Sequence, residues 1–191
     1  MRSRFVPSLL TAALFVGAAT LHAPARAEPP APTWHPRGPA LRSDFAFEAK
    51  VQVATPLVVG QGPHGPRRIV PITGGTVSGP RLRGKVVPGG ADWQFVRPAD
   101  DVLEIEAKYT LETEDGVLIM VTNRGVRRGP KEVIDRLARG ESVDPSLYYF
   151  RTVAQLEAPA DGPYAWLNQS LFVGVAERQP DAAIIRFFEI K

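Results

Sequence analysis

The segment that decides the fold class is Leu103-Glu-Ile-Glu-Ala-Lys-Tyr-Thr-Leu-Glu112, in which two kinds of residue alternate. Its odd-numbered residues are apolar or aromatic, and its even-numbered residues are charged or polar. A period of two predicts a β-strand with one face buried and the other in water. The same alternation occurs earlier in the chain, where one face comprises Phe45, Phe47, Ala49, Val51 and Val53.

Turn residues such as Pro88-Gly-Gly90 separate further short segments that are typical of strands. These are 67–72, 75–77, 82–87, 92–96, 117–123, 147–155, 164–177 and 182–190. Only 130–139 predicts a helix, with Pro130 near its start and Gly140 at its end. About ten short strands without βαβ alternation predict an all-β fold, an antiparallel sheet closed into a barrel or folded into a sandwich. Closure is favoured because it leaves no unpaired edge.

The first 27 residues predict a signal peptide, with basic Arg2 and Arg4, an apolar run over 9–21 and the small-x-small site Ala25-Arg-Ala27. We expect cleavage after Ala27, a flexible proline-rich leader over 28–41 and one domain over 42–191. The apolar run is too short for a spanning helix, so no membrane span is expected after cleavage. An outer-membrane barrel is the alternative, disfavoured because no continuous apolar band is evident. The predicted location is periplasmic or secreted.

Composition excludes several function classes. The 191 residues contain no cysteine, which excludes disulfide scaffolds, Cys-ligated zinc, iron–sulfur clusters and thiol nucleophiles. The net charge of +3 comes from three arginines in the first 27 residues, where no acid occurs. The remainder is neutral, so nothing indicates nucleic-acid binding. Two glycine-rich phosphate-loop patterns, at 60–65 and 79–85, precede predicted strands rather than helices and therefore indicate turns. No cofactor or metal is predicted.

Polar residues on faces that ought to be apolar indicate a pocket. In 147–155, Arg151 alternates with Tyr149 and Val153, which predicts that its side chain points into the barrel. A buried guanidinium needs a carboxylate, either from the protein, such as Asp92, or from a ligand. In 164–177, the period of two places Tyr164, Trp166 and Asn168 on one face. This face combines aromatic rings with an amide, as a small-molecule pocket requires.

The run Gly74-Gly-Thr-Val-Ser-Gly-Pro-Arg-Leu-Arg-Gly-Lys-Val-Val-Pro-Gly-Gly-Ala-Asp-Trp93 resembles the UPF0311 (DUF3237) family of uncharacterised proteins. Three other stretches agree with it, namely Tyr109-Thr-Leu-Glu-Thr-Glu-Asp-Gly116, Tyr148-Tyr-Phe-Arg-Thr152 and Tyr164-Ala-Trp-Leu-Asn168. The resemblance covers roughly 45–190. It implies a compact antiparallel barrel of lipocalin-like shape and association as a homodimer. It brings no established activity and no catalytic residue.

Three hypotheses for the function follow. In the first, an exported barrel binds a small, partly apolar, anionic or carbonyl-bearing molecule; Arg151 anchors the charge, Trp166 stacks and Asn168 orients, with Asp92 nearby and Tyr149 and Tyr164 alongside. In the second, the same cavity catalyses isomerisation, hydration or cyclisation, with Asp92 or Glu112 as base and Arg151 or Tyr109 stabilising an enolate. In the third, a filled barrel is a structural or assembly module. Asp92 itself is either a turn cap or faces Arg151 or the cavity.

Overall fold

The computed structural model describes residues 38–191, so the predicted signal peptide and most of the predicted leader lie outside the described residues. Residues 39–191 form one unit. Its strands are β1 Ser43–Val53, β2 Leu57–Gly62, β3 Gly65–Ser78, β4 Gly84–Val86, β5 Ala91–Val96, β6 Leu103–Thr113, β7 Leu118–Arg128, β8 Tyr149–Glu157, β9 Phe172–Arg178 and β10 Ala182–Ile190. Helix α1, Lys131–Ala138, joins β7 to β8, and short 3₁₀ turns occupy Pro145–Leu147 and Ala165–Gln169. No helix in this part of the chain is long and apolar enough to span a membrane.

The strands form a closed antiparallel barrel, which confirms the predicted fold class. The sheet runs from β1 through β10, β9, β8, β7 and β6 to β3, and β3 pairs again with β1. The short strands β4 and β5 both lie between β3 and β6, at successive levels, and together fill one of eight positions around the barrel. Strand β2, which was not predicted, pairs with β3 outside this ring.

Two local features correct the predicted faces. The register of β1 against β10 shifts between Phe45 and Phe47, because a bulge adds one residue there. Ala46 and Phe47 are therefore both fully buried, while Phe45 is 41% exposed and does not share the inner face. The predicted strand over 164–177 is also wrong in its first part, since Ala165–Gln169 forms a 3₁₀ turn and only Phe172–Arg178 is a strand.

The two ends of the barrel interior differ in chemistry. At the apolar end, where β1, β7 and β9 begin, buried aromatic and aliphatic side chains fill the space; these are Phe47, Leu111, Ile119, Leu167, Phe172 and Phe187. At the arginine end, where the same strands finish, Arg68, Arg127 and Arg178 line a cavity. Helix α1 lies against the arginine end and buries Val133 and Leu137.

Candidate functional site

The arginine end holds a cavity of about 470 Å³. Its polar walls come from Arg68 on β3, Asp92 and Gln94 on β5, Arg127 on β7 and Arg178 on β9. Its apolar walls include Val70, Leu137 and Phe150. Arg139 and Asp181 lie at its rim, where both side chains are exposed. The volume and the mixture of polar and apolar walls suit a small organic molecule.

Strand parity explains why three arginines meet there. On β3, Arg68 shares the inner face with Val70 and Ile72, which are both buried. On β7, Arg127 follows buried Val121 and Asn123 on the inner face. Arg178 stands two residues after buried Ala176 on β9. Because alternate residues of a strand point to the same side, each arginine enters the barrel at the end of an otherwise inward row.

Hydrogen bonds hold Asp92 in the cavity wall. The backbone N–H of Glu106 donates to Asp92 Oδ1 at 3.1 Å, and Gln94 Nε2 donates to Asp92 Oδ2. Arg68 Nε in turn donates to Gln94 Oε1 at 2.7 Å. The ion pairs within 4.0 Å in residues 38–191 all involve other carboxylates. Asp92 is thus oriented by neutral donors, and the arginines stand apart from it.

Burial raises the pKa of Asp92 to about 6, although the hydrogen bonds from Gln94 and Glu106 and the charges of Arg127 and Arg68 oppose the rise. Since desolvation disfavours the charged form of a carboxyl group, Asp92 changes its protonation close to neutral pH. A group of this kind can both accept and donate a proton under physiological conditions. Asp92 is therefore the residue of the cavity best suited to proton transfer.

Arg127 lacks a counter-charge in direct contact. The residue is 5% exposed, and its Nε has no hydrogen-bond partner in the described chain. Burial, together with the positive charges of Arg68 and Arg178, lowers the pKa of Arg127 to about 10. Its guanidinium carbon lies 5.8 Å from the ring centroid of Phe150. Three cations around a carboxyl group of raised pKa give the cavity a field that attracts anions.

Arg178 is occupied by the turn between β9 and β10. Its guanidinium donates to the backbone oxygens of Ala182 at 2.7 Å, Pro180 at 3.1 Å and Gln179. Its backbone N–H donates to the hydroxyl of Tyr148 at 2.8 Å. Arg178 therefore contributes charge from a fixed position, whereas Arg127 has bonding capacity to spare.

The prediction that Arg151 points into the barrel is wrong. On β8, Phe150 and Thr152 are the buried residues, while Tyr149 and Val153 are 40% and 59% exposed. Arg151 shares their outer face, donates to its neighbour's carbonyl oxygen at 2.9 Å and lies 5.2 Å from the Tyr149 ring centroid. The residues alternate as predicted, but the face that was predicted to point into the barrel points outward. Asp92 consequently faces the cavity and not Arg151.

The aromatic and amide residues predicted to line the pocket lie at the apolar end. Arg81 lies over the ring of Trp166, 3.5 Å from its centroid. Asn168 Oδ1 accepts the Ala158 N–H at 2.8 Å, and the Tyr164 hydroxyl donates to Asp115 at 2.9 Å. The structure does not bring them to the cavity, because the 3₁₀ turn breaks the period of two on which the prediction depended.

The two other predicted catalytic candidates have opposite surroundings. Glu112 pairs with Lys85 at 3.1 Å on the outer face of β6, away from the cavity. Tyr109 is 5% exposed on the inner face, and its hydroxyl has no hydrogen-bond partner among residues 38–191. Burial, followed by the charge of Asp92, raises the pKa of Tyr109 above its ordinary value. Tyr109 therefore lies in the barrel interior, two residues along β6 from Ala107, the pairing partner of Asp92, whereas Glu112 lies on the outer face.

Sequence reasoning missed Arg68, Gln94, Arg127 and Arg178. A signal for each existed, since Arg68 has the parity of Val70 and Ile72, Gln94 has the parity of Asp92, and Arg127 and Arg178 continue inward rows. For the last two residues the predicted strands ended too early to show the signal: 117–123 stopped before Arg127, and 164–177 stopped one residue before Arg178.

The family model described as "Protein of unknown function (DUF3237)" matches residues 41–190. A UPF0311 protein of Rhodopseudomonas palustris is 41% identical over 152 residues, covering 80% of this chain and 98% of that protein. The crystal structure of a conserved protein of unknown function from the same species has a TM-score of 0.75 at 41% identity, covering 81% of this chain and 99% of that one. A β-barrel-like protein from Acinetobacter baumannii has a TM-score of 0.70 at 38% identity, covering 81% and 98%.

A more distant similarity concerns a fungal enzyme. A hydroalkoxylation enzyme of Penicillium herquei is 30% identical over 79 residues, which is 41% of this chain and 52% of that protein. The crystal structure of an enzyme from that fungus has a TM-score of 0.60 at 19% identity, covering 83% of this chain and 100% of that one. At this identity the structural match shows a shared fold.

Proposed function

The chain belongs to the DUF3237 (UPF0311) family of proteins of unknown function, and from that premise we propose that it binds a small, partly apolar molecule in the cavity at the arginine end. The molecule carries an anionic or carbonyl group. The observation that carries the proposal is the buried guanidinium of Arg127, whose Nε has no partner in the described chain.

A buried cation without a counter-charge is unfavourable, and nearby Arg68 and Arg178 make it more so. A ligand carboxylate beside Arg127 supplies the missing acceptor and the missing negative charge in one group. The apolar walls formed by Val70, Leu137 and Phe150 accommodate the rest of the ligand. Arg151, the anchor expected from the sequence, is replaced in this role by Arg127.

The test compares Arg127→Met with Arg151→Met as the matched surface control. If a ligand anion is the partner of Arg127, Arg127→Met leaves the melting temperature of the free protein unchanged or raised, because it removes an unpaired buried charge. Calorimetric titration with benzoate and 3-phenylpropanoate then shows binding to the wild type and to Arg151→Met, and at least tenfold weaker binding to Arg127→Met. Equal binding to all three proteins, or to none, contradicts the proposal.

A second candidate function is proton-transfer catalysis by Asp92, with Arg127 stabilising an enolate. The raised pKa of Asp92 inside the cavity favours it. The partial similarity to a hydroalkoxylation enzyme supports it too, since adding an O–H bond across a double bond forms a C–O bond at one carbon and moves the proton to the other. Deuterium uptake by carbonyl compounds in heavy water tests it: exchange must be lost in Asp92→Asn and retained in Arg151→Met. The filled structural module is disfavoured by the cavity.

Export and dimer formation stay predictions. Export to the periplasm or medium rests on the first 27 residues, and protein recovered from the periplasmic fraction should begin at Glu28. Recovery of the full-length chain from the cytoplasm contradicts it. Dimer formation rests on the family resemblance, and light scattering of the purified protein tests it.

A further inference from the structure

A second cavity lies against helix α1, beside the cavity at the arginine end, which we now call the first cavity. The second cavity has a volume of about 400 Å³. Its apolar walls are Val96 at the end of β5, Leu103 at the start of β6 and Ile134 on α1. Leu103 is buried, and the other two side chains are partly buried and pack against the core. The space therefore suits an apolar group such as a phenyl ring.

The two cavities share part of their walls. Arg68, Arg127 and Ala138 line both of them. A side chain that lines two cavities borders open space in two directions, so the two spaces are separated by no more than the thickness of these side chains. Arg127, to which we assign the anionic group of the ligand, thus stands at the junction between the first and the second cavity.

The charged residues found only in the second cavity lie mainly on its solvent side. Arg128, Lys131, Asp100 and Asp101 are all exposed. Lys131 also forms an ion pair with Asp135 at 2.8 Å. Exposed charges remain hydrated and are screened by salt, so they do not require an ionic partner from a ligand. The apolar walls further inside therefore favour an uncharged group.

Helix α1 borders both cavities and has no polar bond to the barrel. Leu137 lines the first cavity and Ile134 lines the second. Within residues 38–191, the hydrogen bonds and ion pairs of 130–141 join residues of that same segment. Because α1 is attached to the core through apolar side chains, chiefly Val133 and Leu137, it can shift to admit a ligand without breaking a hydrogen bond to the barrel.

We infer that the ligand carries two apolar bodies on either side of its anionic or carbonyl group, one in the first cavity and the other in the second. The inference rests on the proposed function and adds the shape of the ligand: the polar group held by Arg127 branches from the middle of the molecule and does not terminate a chain. It also assigns Leu103 and Ile134 as residues that determine specificity.

Phenylacetate and diphenylacetate test the second cavity, because they share one carboxylate and differ by a phenyl ring on the same carbon. In calorimetric titration of the wild type, diphenylacetate should bind about tenfold more tightly, a gain that burial of a ring provides. Ile134→Trp fills the second cavity and should reduce this preference below about threefold, with binding of phenylacetate unchanged. Glu132→Trp is the matched control, since Glu132 is exposed on the same helix and lines neither cavity, and it should keep the preference.

Nuclear Overhauser effects give a second reading that needs only the wild type. With diphenylacetate bound, the ring protons should contact a methyl group of Ile134 in the second cavity and one of Val70 in the first. Contacts to the methyl group of one cavity alone overturn the inference, whatever the stability of Ile134→Trp.

The failure of this inference is distinguishable from failure of the proposed function. Equal affinity of the wild type for the two acids overturns the second cavity as a subsite and leaves anion binding intact. A preference for diphenylacetate that survives in Ile134→Trp, or an equal loss of both acids there, also overturns it, because the second ring then has no subsite of its own. Binding of neither acid to the wild type overturns both proposals.

Discussion

The apolar end and the arginine end of the barrel are built from the same strands. They differ in how completely their buried side chains are packed or hydrogen-bonded. At the apolar end, Phe47 stacks on Phe187 with ring centroids 4.7 Å apart, and both are fully buried. At the arginine end, Arg127 is also buried, but its Nε has no hydrogen-bond partner in the described chain. One end therefore contributes stability, whereas the other contains a buried polar group without a partner in the described residues, which lowers the stability of the free protein.

The apolar end should show the largest mutational loss. Phe187→Ala removes a fully buried ring from the stack with Phe47 and should lower the free energy of unfolding by about 3 to 5 kcal/mol, measured by urea denaturation. Phe188→Ala is the matched control, since Phe188 is only partly buried and meets Phe45 edge to face. Equal losses for the two variants would mean that burial inside the barrel does not determine the loss of stability at this end.

Replacing Asp92 at the arginine end should raise the free energy of unfolding by an amount that depends on pH. The pKa of Asp92 is about 6 in the folded protein and near 3.8 when unfolded, so between these values the folded state binds more protons. The wild type therefore loses stability as pH rises from about 4 to about 6, and Asp92→Asn lacks this loss. At pH 7 the variant should be more stable by at most about 3 kcal/mol.

Urea denaturation of both proteins across pH 4 to 7.5 measures that difference. Asp115→Asn serves as the control, because hydrogen bonds lower the pKa of Asp115 and give its contribution the opposite sign. A stability difference between Asp92→Asn and the wild type that does not change with pH would contradict the raised pKa and weaken the contrast between the two ends.

The third prediction has the smallest expected effect and concerns the polar residues around Glu189 at the apolar end. Arg81 lies over Trp166 and pairs with Glu189, which is 6% exposed. Arg81→Met should cost only about 1 kcal/mol, because Lys191 and Ser170 still bond to Glu189, at 2.7 and 2.6 Å. Arg83→Met, at an exposed position, is the control. A loss comparable to that of Phe187→Ala would show that this cluster, and not the aromatic core, holds the end closed.

Much of the fold was predictable because alternation and turn residues are local signals. The strand over 103–112, the helix over 130–139 and the closed antiparallel sheet all follow from them. The bulge at Ala46 and the 3₁₀ turn over Ala165–Gln169 are decided by packing against other strands, which a local pattern does not contain.

The site was less predictable than the fold. Asp92 was identified, and the structure places it in the cavity. Arg151 was misplaced because a run such as Tyr148-Tyr-Phe-Arg-Thr-Val153 has aromatic residues on both faces, and parity alone does not say which face is inside. Arg127 was overlooked because charged residues at strand ends usually lie in solvent. Arg127 lies near Arg68 and Arg178 only when the barrel is closed, and a local sequence pattern does not show this.

The pairing of β1 with β10 also bears on how the chain reaches this structure. Val51 pairs with Ala183, so the contacts that close the ring join residues far apart in the sequence. Such contacts slow folding, and until β10 has been synthesised β1 and β9 each present an edge open to other chains. The barrel is therefore expected to fold as a single late event, and a chain truncated before β10 to aggregate instead of forming a smaller barrel.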